Sequence, residues 1–253
     1  MGAMSRRPVP LALSALGWLG FLLVVLWTIA FLADAFVPRT VDGPGRTSTP
    51  VAITVDLGLL LLFAVQHSAM ARPQVKRWLR RRVPAVLERT TYVLATNACL
   101  LLLLAFWQPW GGPLWHAGGA TAVLLWTLCA TGWVLALAST FAVDHLELVG
   151  LRQAGWVAAG DPAGPGMQVR GLHAFVRHPL MTGLLLAFWA TPHLGAPHLL
   201  FAVCASAYIA VGIRFEERDL RRTFGPAYDD YAARVPALVP TVPTARRRSR
   251  IAA

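Results

Sequence analysis

The sequence predicts an all-α integral membrane protein: four spanning helices, a C-terminal helical hairpin that brings the membrane segments to five or six, and a cytoplasmic C-terminal helix. Three observations carry this expectation. Apolar residues make up 56% of the 253-residue chain and charged residues only 14%, against about 25% charged in a typical soluble domain. The mean hydropathy is +0.55, which excludes a disordered chain and an ordinary cytosolic enzyme. The charges that do occur stand between long uncharged runs, as juxtamembrane residues do. The net charge of +11 therefore marks no nucleic-acid binder.

Spanning a hydrocarbon core of about 30 Å takes roughly 20 helical residues. Leu11–Leu32 is uncharged and long enough, and it follows Arg6 and Arg7. It is too long for the apolar part of a signal peptide and reads as an anchor. Val51–Met70 is the second run, interrupted by Asp56 and ending in Gln66-His67-Ser68. Asp56 lies near the outer end of its helix, where snorkelling or a helix-start role is expected. Thr90–Trp107 and Ala120–Val143 are the third and fourth runs.

From Pro179 to Ile213 there is no formal charge over 35 residues. A single helix of that length would be roughly 52 Å long, far beyond the core. Pro192, Gly195 and Pro197 cluster at its middle, where proline removes a donor and clashes with the preceding turn. The reading is a hairpin, Leu180–Thr191 and His198–Ile213, with both legs short for a full span.

The loop charges set the orientation. Residues 72–89 hold seven basic side chains against Glu88, and the chain from Arg214 onward holds nine basic and five acidic ones. The 108–119 loop carries none, and 34–50 balances two against two. Positive-inside reasoning puts both termini, the 72–89 loop and the 144–178 segment in the cytoplasm. Trp107, Trp110 and Trp115 are expected to form an aromatic belt at the far interface. The expected division is 1–143, a four-helix transmembrane part; 144–240, a cytosol-facing cofactor-binding module with the hairpin; and 241–253, a disordered basic tail.

Soluble nucleotide-binding motifs are absent: there is no GxGxxG between strand and helix and no GxxxxGK[ST]. No metal is expected. HExxH is missing, and the adjacent residues of Asp144-His145-Leu146-Glu147 point in different directions on a helix. Cys99, Cys129 and Cys204 lie in apolar runs with no CxxC and read as packed hydrophobes. The densest polar chemistry flanks the hairpin, at Arg177-His178-Pro179 before it and Glu216-Glu217 after it. A hairpin brings these segments to one face, either as an ion pair that only locks the fold or as the wall of a pocket for a small polar cofactor.

Here a resemblance enters. Arg177-His178-Pro179-x-x-x-Gly183, an apolar hairpin, Glu216-Glu217-x-x-Leu220, Phe224-Gly225-x-x-Tyr228-x-x-Tyr231 and Val235-Pro236 resemble the C-terminal module of the isoprenylcysteine carboxyl methyltransferase and phospholipid methyltransferase superfamily. Gln66-His67-Ser68-x-Met70-Ala71-Arg72-Pro73, Glu88-Arg89-x-Thr91-Tyr92, Trp107-Gln108-Pro109 and Asp144-His145-x-Glu147 are similar to its bacterial methanethiol S-methyltransferase branch. The resemblance implies S-adenosyl-L-methionine as methyl donor and a small thiol as acceptor, most specifically methanethiol giving dimethyl sulfide and S-adenosylhomocysteine.

It further implies that Arg177, His178, Pro179, Gly183, Glu216 and Glu217 wrap the cofactor, with Gly171, His173 and Tyr231 beside them. Gly171-Leu172-His173 stands where many members have Gly-Pro-Tyr. Gly183 admits two readings, close backbone approach to the ligand or helix packing. His178 either bonds the cofactor or caps the helix that Pro179 opens.

Methyl transfer needs donor carbon and nucleophile aligned at about 3 to 3.5 Å, and the thiol must react as thiolate. His67 is the first candidate base, as an ionisable side chain at membrane depth. His145 is the second, and Tyr92 would orient the acceptor. The competing expectations are an acceptor that is a lipid amine or prenylcysteine carboxylate, and a non-enzymatic carrier or assembly factor that binds no methyl donor. The bilayer itself is the expected environment, and no obligate protein partner is evident.

Overall fold

The structure, a computed structural model, describes residues 8–142, 151, 169 and 171–240. Eight helices account for most of it: α1 Pro8–Leu32, α2 Thr49–Ala71, α3 Pro73–Arg80, α4 Glu88–Phe106, α5 Gly119–Ala142, α6 Pro179–Trp189, α7 Ala196–Phe224 and α8 Pro226–Arg234. Five stretches containing α1, α2, α4, α5 and α7 are long and apolar enough to cross a membrane, while α6 is apolar but short. The protein is an all-α polytopic membrane protein, as its sequence predicts. Asp144, His145, Glu147 and the basic tail lie outside the described residues.

The long helices alternate in direction, so the molecule has two ends. At one, β1 Pro113–His116 and β2 His193–Gly195 form a two-stranded antiparallel ribbon, with Trp115 opposite Leu194 and His116 opposite His193. This ribbon ties the α4–α5 connection to the turn of the hairpin, and the sequence reading did not anticipate it. Asp42 supports the same turn: its carboxylate accepts from the Gly195 and His198 backbone N–H groups at 2.6 and 3.1 Å. The His198 N–H, in the first turn of α7 where it has no partner inside the helix, is satisfied in this way, and the Ala196 N–H donates to Gly112 O at 3.3 Å. Burial raises the Asp42 carboxyl above its ordinary range, opposed by these same hydrogen bonds.

Beneath the ribbon, Phe31, Trp107, Phe188 and Phe201 pack edge to face with centroids 5.2–6.4 Å apart. Trp107 is fully buried and its indole donates to Val41 O at 3.1 Å. It is therefore a core residue and no part of an aromatic belt. Asp56 is also fully buried, and its Oδ1 accepts from the Gln108 backbone at 2.8 Å. It neither snorkels nor starts a helix; it anchors the segment leaving α4.

Close helix packing relies on small residues and polar crosslinks, as membranes favour. Ser14 and Thr90 hydroxyls meet at 2.6 Å, and Asn97 donates to Gly17 O at 2.9 Å, joining α1 to α4. At the α5–α6 crossing, a Cβ on Gly183 would lie 2.6 Å from Ala136 N and from Gly132 O. A Cβ on Gly132 would lie 2.6 Å from Ala187 N.

The hairpin forms as the prolines indicate, but its second leg is no short segment. Helix α7 continues for 29 residues to Phe224, past Ile213 where the charges resume. Helical hydrogen bonding does not stop at the apolar boundary, so Glu216 and Glu217 project from a continuous helix. Gly225, at φ +56°, then turns the chain into α8, with Pro226 in its first turn. The short basic helix α3 was also not anticipated.

Candidate functional site

Helix α6 begins with Pro179 in its first turn, so His178 is its cap residue, but the imidazole makes no capping bond. The ring is buried and turned toward α7, with Nδ1 3.4 Å from Glu216 Oε2 and Nε2 3.2 Å from Glu217 Oε1. Arg177 converges on the same carboxylate, donating from Nη2 at 2.6 Å and from Nε at 2.9 Å. Arg221 approaches Glu217 Oε2 at 3.4 Å. Burial alone would lower the His178 pKa, but hydrogen bonds and charge from both glutamates outweigh it, so the imidazole titrates above its ordinary value.

The segment after α8 completes this clasp. Arg177 and His178 backbone N–H groups donate to Pro236 and Ala237 carbonyls at 2.9 and 3.0 Å. Arg177 Nη1 also reaches Ala232 O and Val235 O, at 3.0 and 2.5 Å. Tyr231 is buried, its hydroxyl donates to His173 O at 2.7 Å, and burial and the neighbouring Tyr228 raise its pKa to about 12. Burial and the nearby His178 lower the His173 pKa, with Glu216 opposing. Tyr228 is buried with its hydroxyl unpartnered. Gly171 needs to be glycine for its φ of +62°, not for space, since a Cβ there would meet nothing within 4 Å.

These positions divide by available bonding capacity. Glu217, only 12% exposed, is saturated by two cations and an imidazole, and Gly183 is occupied by α5. Glu216, 51% exposed, has a single imidazole beside it at 3.4 Å. Its carboxylate keeps free acceptor positions.

A second cluster lies deeper in the bundle. The Tyr92 hydroxyl stands 2.8 Å from His67 Nε2 and 3.0 Å from Nδ1, and Thr96 Oγ1 lies 3.4 Å from Nδ1. Phe63 stacks on His67 at 5.3 Å. Tyr208, from α7, packs on Phe63 at 5.9 Å and His67 at 6.4 Å, and its hydroxyl lies 3.1 Å from Ser68 Oγ. The structure thus brings His67 and Tyr92 together; His145 lies outside the described residues. Tyr208 and Phe63 escaped the sequence reading. Tyr208 sits in an uncharged run, and no local pattern separates it from packing aromatics. Tyr208 precedes Glu216 by roughly 12 Å along α7, so one helix serves both clusters. Among the described residues no group of three or more His, Cys, Asp or Glu could hold a metal.

Residues 57–229 match the family model described as NnrU protein. The chain is 44% identical over 247 residues to methanethiol S-methyltransferase 2 of Bradyrhizobium diazoefficiens, covering 97% of this chain and 95% of that protein. This chain belongs to the NnrU family and to that of the methanethiol S-methyltransferases. The Mycobacterium tuberculosis methanethiol S-methyltransferase is likewise 44% identical, over 93% of this chain and 97% of its own. Nurim of Sus scrofa is 36% identical over 68% of this chain and 69% of its own. No solved structure matches the family member described here.

Proposed function

We propose that this protein transfers the methyl group of S-adenosylmethionine to methanethiol, giving dimethyl sulfide and S-adenosylhomocysteine, in the bacterial inner membrane with both termini cytoplasmic. The observation that carries the reading is the pairing of the two clusters: a half-exposed carboxylate at the clasp and a histidine–tyrosine pair deeper on the same helix bundle. The relatives named methanethiol S-methyltransferase match along nearly the whole chain, which supports the same activity here.

The donor supplies a methyl group on a sulfonium sulfur. Glu216 is suited to hold its ribose diol or ammonium group, because its acceptor capacity is not used up by the fold. Arg177, His178 and Glu217 act as positioning residues: they fix the α6 start against α7 and so place Glu216. Keeping carboxylates at the polar ends of the donor also avoids stabilising the sulfonium in the ground state, since that charge is lost as reaction proceeds. His67 takes the thiol proton, and Tyr92 holds the imidazole ring in place, an assistance worth about 10² to 10⁴-fold. On this reading residues 144–240 form the donor-binding module and residues 1–143 supply the acceptor base.

Purified protein incubated with methanethiol and S-adenosylmethionine should release dimethyl sulfide, measured by headspace gas chromatography, and should bind S-adenosylhomocysteine in isothermal titration. Folded protein that binds no S-adenosylhomocysteine would favour a carrier. Binding without dimethyl sulfide would point to another acceptor. His67→Ala should lower the rate by about 10² to 10⁴-fold and change the pH–rate profile; an unchanged profile would remove His67 from the role of base.

A further inference from the structure

Helix α2 and the residue that follows it meet α7 through side chains at two levels. Ser68 touches Tyr208, and the Arg72 guanidinium lies 4.5 Å from the centre of the Phe215 ring. Ser68 on α2 and Arg72 just past its end thus meet, in the same order, two residues seven apart on α7, as helices running in the same direction do. Gly212 lies between Tyr208 and Phe215 on that face of α7, and nothing stands within 4 Å of where its Cβ would be. The seam between the helices is therefore closed at Tyr208, open at Gly212 and closed again at Phe215. Tyr208 is held from two sides, by its hydroxyl at Ser68 and by its ring against Phe63 and His67. Its ring packs beside His67, one helical turn before the open stretch of the seam.

We propose that Tyr208 sets the length limit of the methyl acceptor: its ring, packed on His67 and Phe63, walls the α7 side of the His67–Tyr92 pair, so that a one-carbon thiol fits and a longer alkyl thiol does not. This rests on methyl transfer to a thiol at His67. The recognition is steric and apolar, and a ring held at both ends resists displacement by an incoming chain. Removing the ring opens the His67 side toward the space at Gly212, which would take the extra methylenes.

The test is a series of methanethiol, ethanethiol and 1-butanethiol with S-adenosylmethionine, reading each methyl sulfide by headspace chromatography. Tyr208→Ala should raise the kcat/KM ratio of 1-butanethiol to methanethiol at least about tenfold over wild type, in line with the discrimination a methylene commands in a closed pocket. Tyr208→Phe keeps the ring and should leave that ratio unchanged. If Tyr208→Ala does not fold, Tyr208→Leu, which retains packing against Phe63, carries the same criterion. A uniform loss across the thiols, with the ratio within about twofold of wild type, overturns the inference and leaves Tyr208 a structural residue. Wild-type protein that methylates none of the thiols overturns the function itself, so the two failures are distinguishable.

Discussion

Glu216 and Glu217 are neighbours in sequence, yet their circumstances differ. Glu217 is enclosed by Arg177, His178 and Arg221, whereas Glu216 faces outward beside one imidazole edge. Their substitutions should therefore separate. Glu217→Gln leaves the Arg177 guanidinium, itself only 12% exposed, without its counter-ion. Breaking a buried pair from one side costs about 3–5 kcal/mol, so a large fall in the thermal midpoint is expected, measurable by scanning calorimetry in detergent. Glu216→Gln should barely move that midpoint while weakening S-adenosylhomocysteine by at least about tenfold, the loss of one charge-assisted bond. Equal effects on both measurements would contradict the division of labour.

His178 adds a pH dependence with a definite sign. Its folded-state pKa lies above the ordinary value, because the glutamates outweigh burial. The protonated imidazole therefore stabilises the clasp in full below about pH 6.5, and its contribution is lost as pH rises through the raised value. Wild-type stability should fall between near-neutral and alkaline pH, and His178→Gln should flatten that part of the curve. Thermal unfolding across the range checks it; a parallel decline in the variant would assign the dependence elsewhere.

At the scale of elements, the α5–α6 crossing depends on two glycines that each occupy the other's side-chain space. Gly183→Leu places atoms where the α5 backbone already lies. The helices must separate, at a cost of about 1–3 kcal/mol or more for overpacking, and the start of α6 moves with them. The expected result is lower stability together with weaker S-adenosylhomocysteine binding, even though Gly183 touches neither glutamate. Loss of binding at unchanged stability would instead return Gly183 to direct ligand contact.

The same crossing shows what a sequence can and cannot disclose. The hairpin was legible because Pro192, Gly195 and Pro197 interrupt a run too long for one span. The Arg177–Glu217 pairing followed, since a hairpin returns its ends to one face. The choice between two roles for Gly183 needed the position of Gly132, some fifty residues away, which no local pattern encodes. Asp56 and Trp107 were misread for a related reason: hydropathy gives depth along a helix but not the direction a side chain faces. The outward extension of α7 was missed because charge marks where the membrane ends, whereas the helix ends only at Gly225. Tyr208 acquires meaning only beside Phe63 and His67, from another helix.

For the whole molecule, orientation follows from how charge is distributed between the two ends. The 72–89 segment, with seven basic residues, and the Arg177–Glu217 clasp share one end. The uncharged 108–119 loop and the ribbon share the other. Glu217 lies roughly 31 Å along α7 from its first residue, about the thickness of a hydrocarbon core. A membrane seated on the apolar layer thus leaves the clasp at one boundary and the ribbon at the other. The basic end should face the cytoplasm, where S-adenosylmethionine is made, and this can be read by labelling. Leu114 on the ribbon and Trp78 on α3 are both exposed, so a cysteine at either should be reachable from its own side. An impermeant maleimide added to intact cells should label Leu114→Cys and spare Trp78→Cys, with Trp78→Cys labelled once the membrane is opened. The reverse pattern would put the clasp outside the cell, away from its donor, and the orientation and the methyl-transfer reading could not both stand.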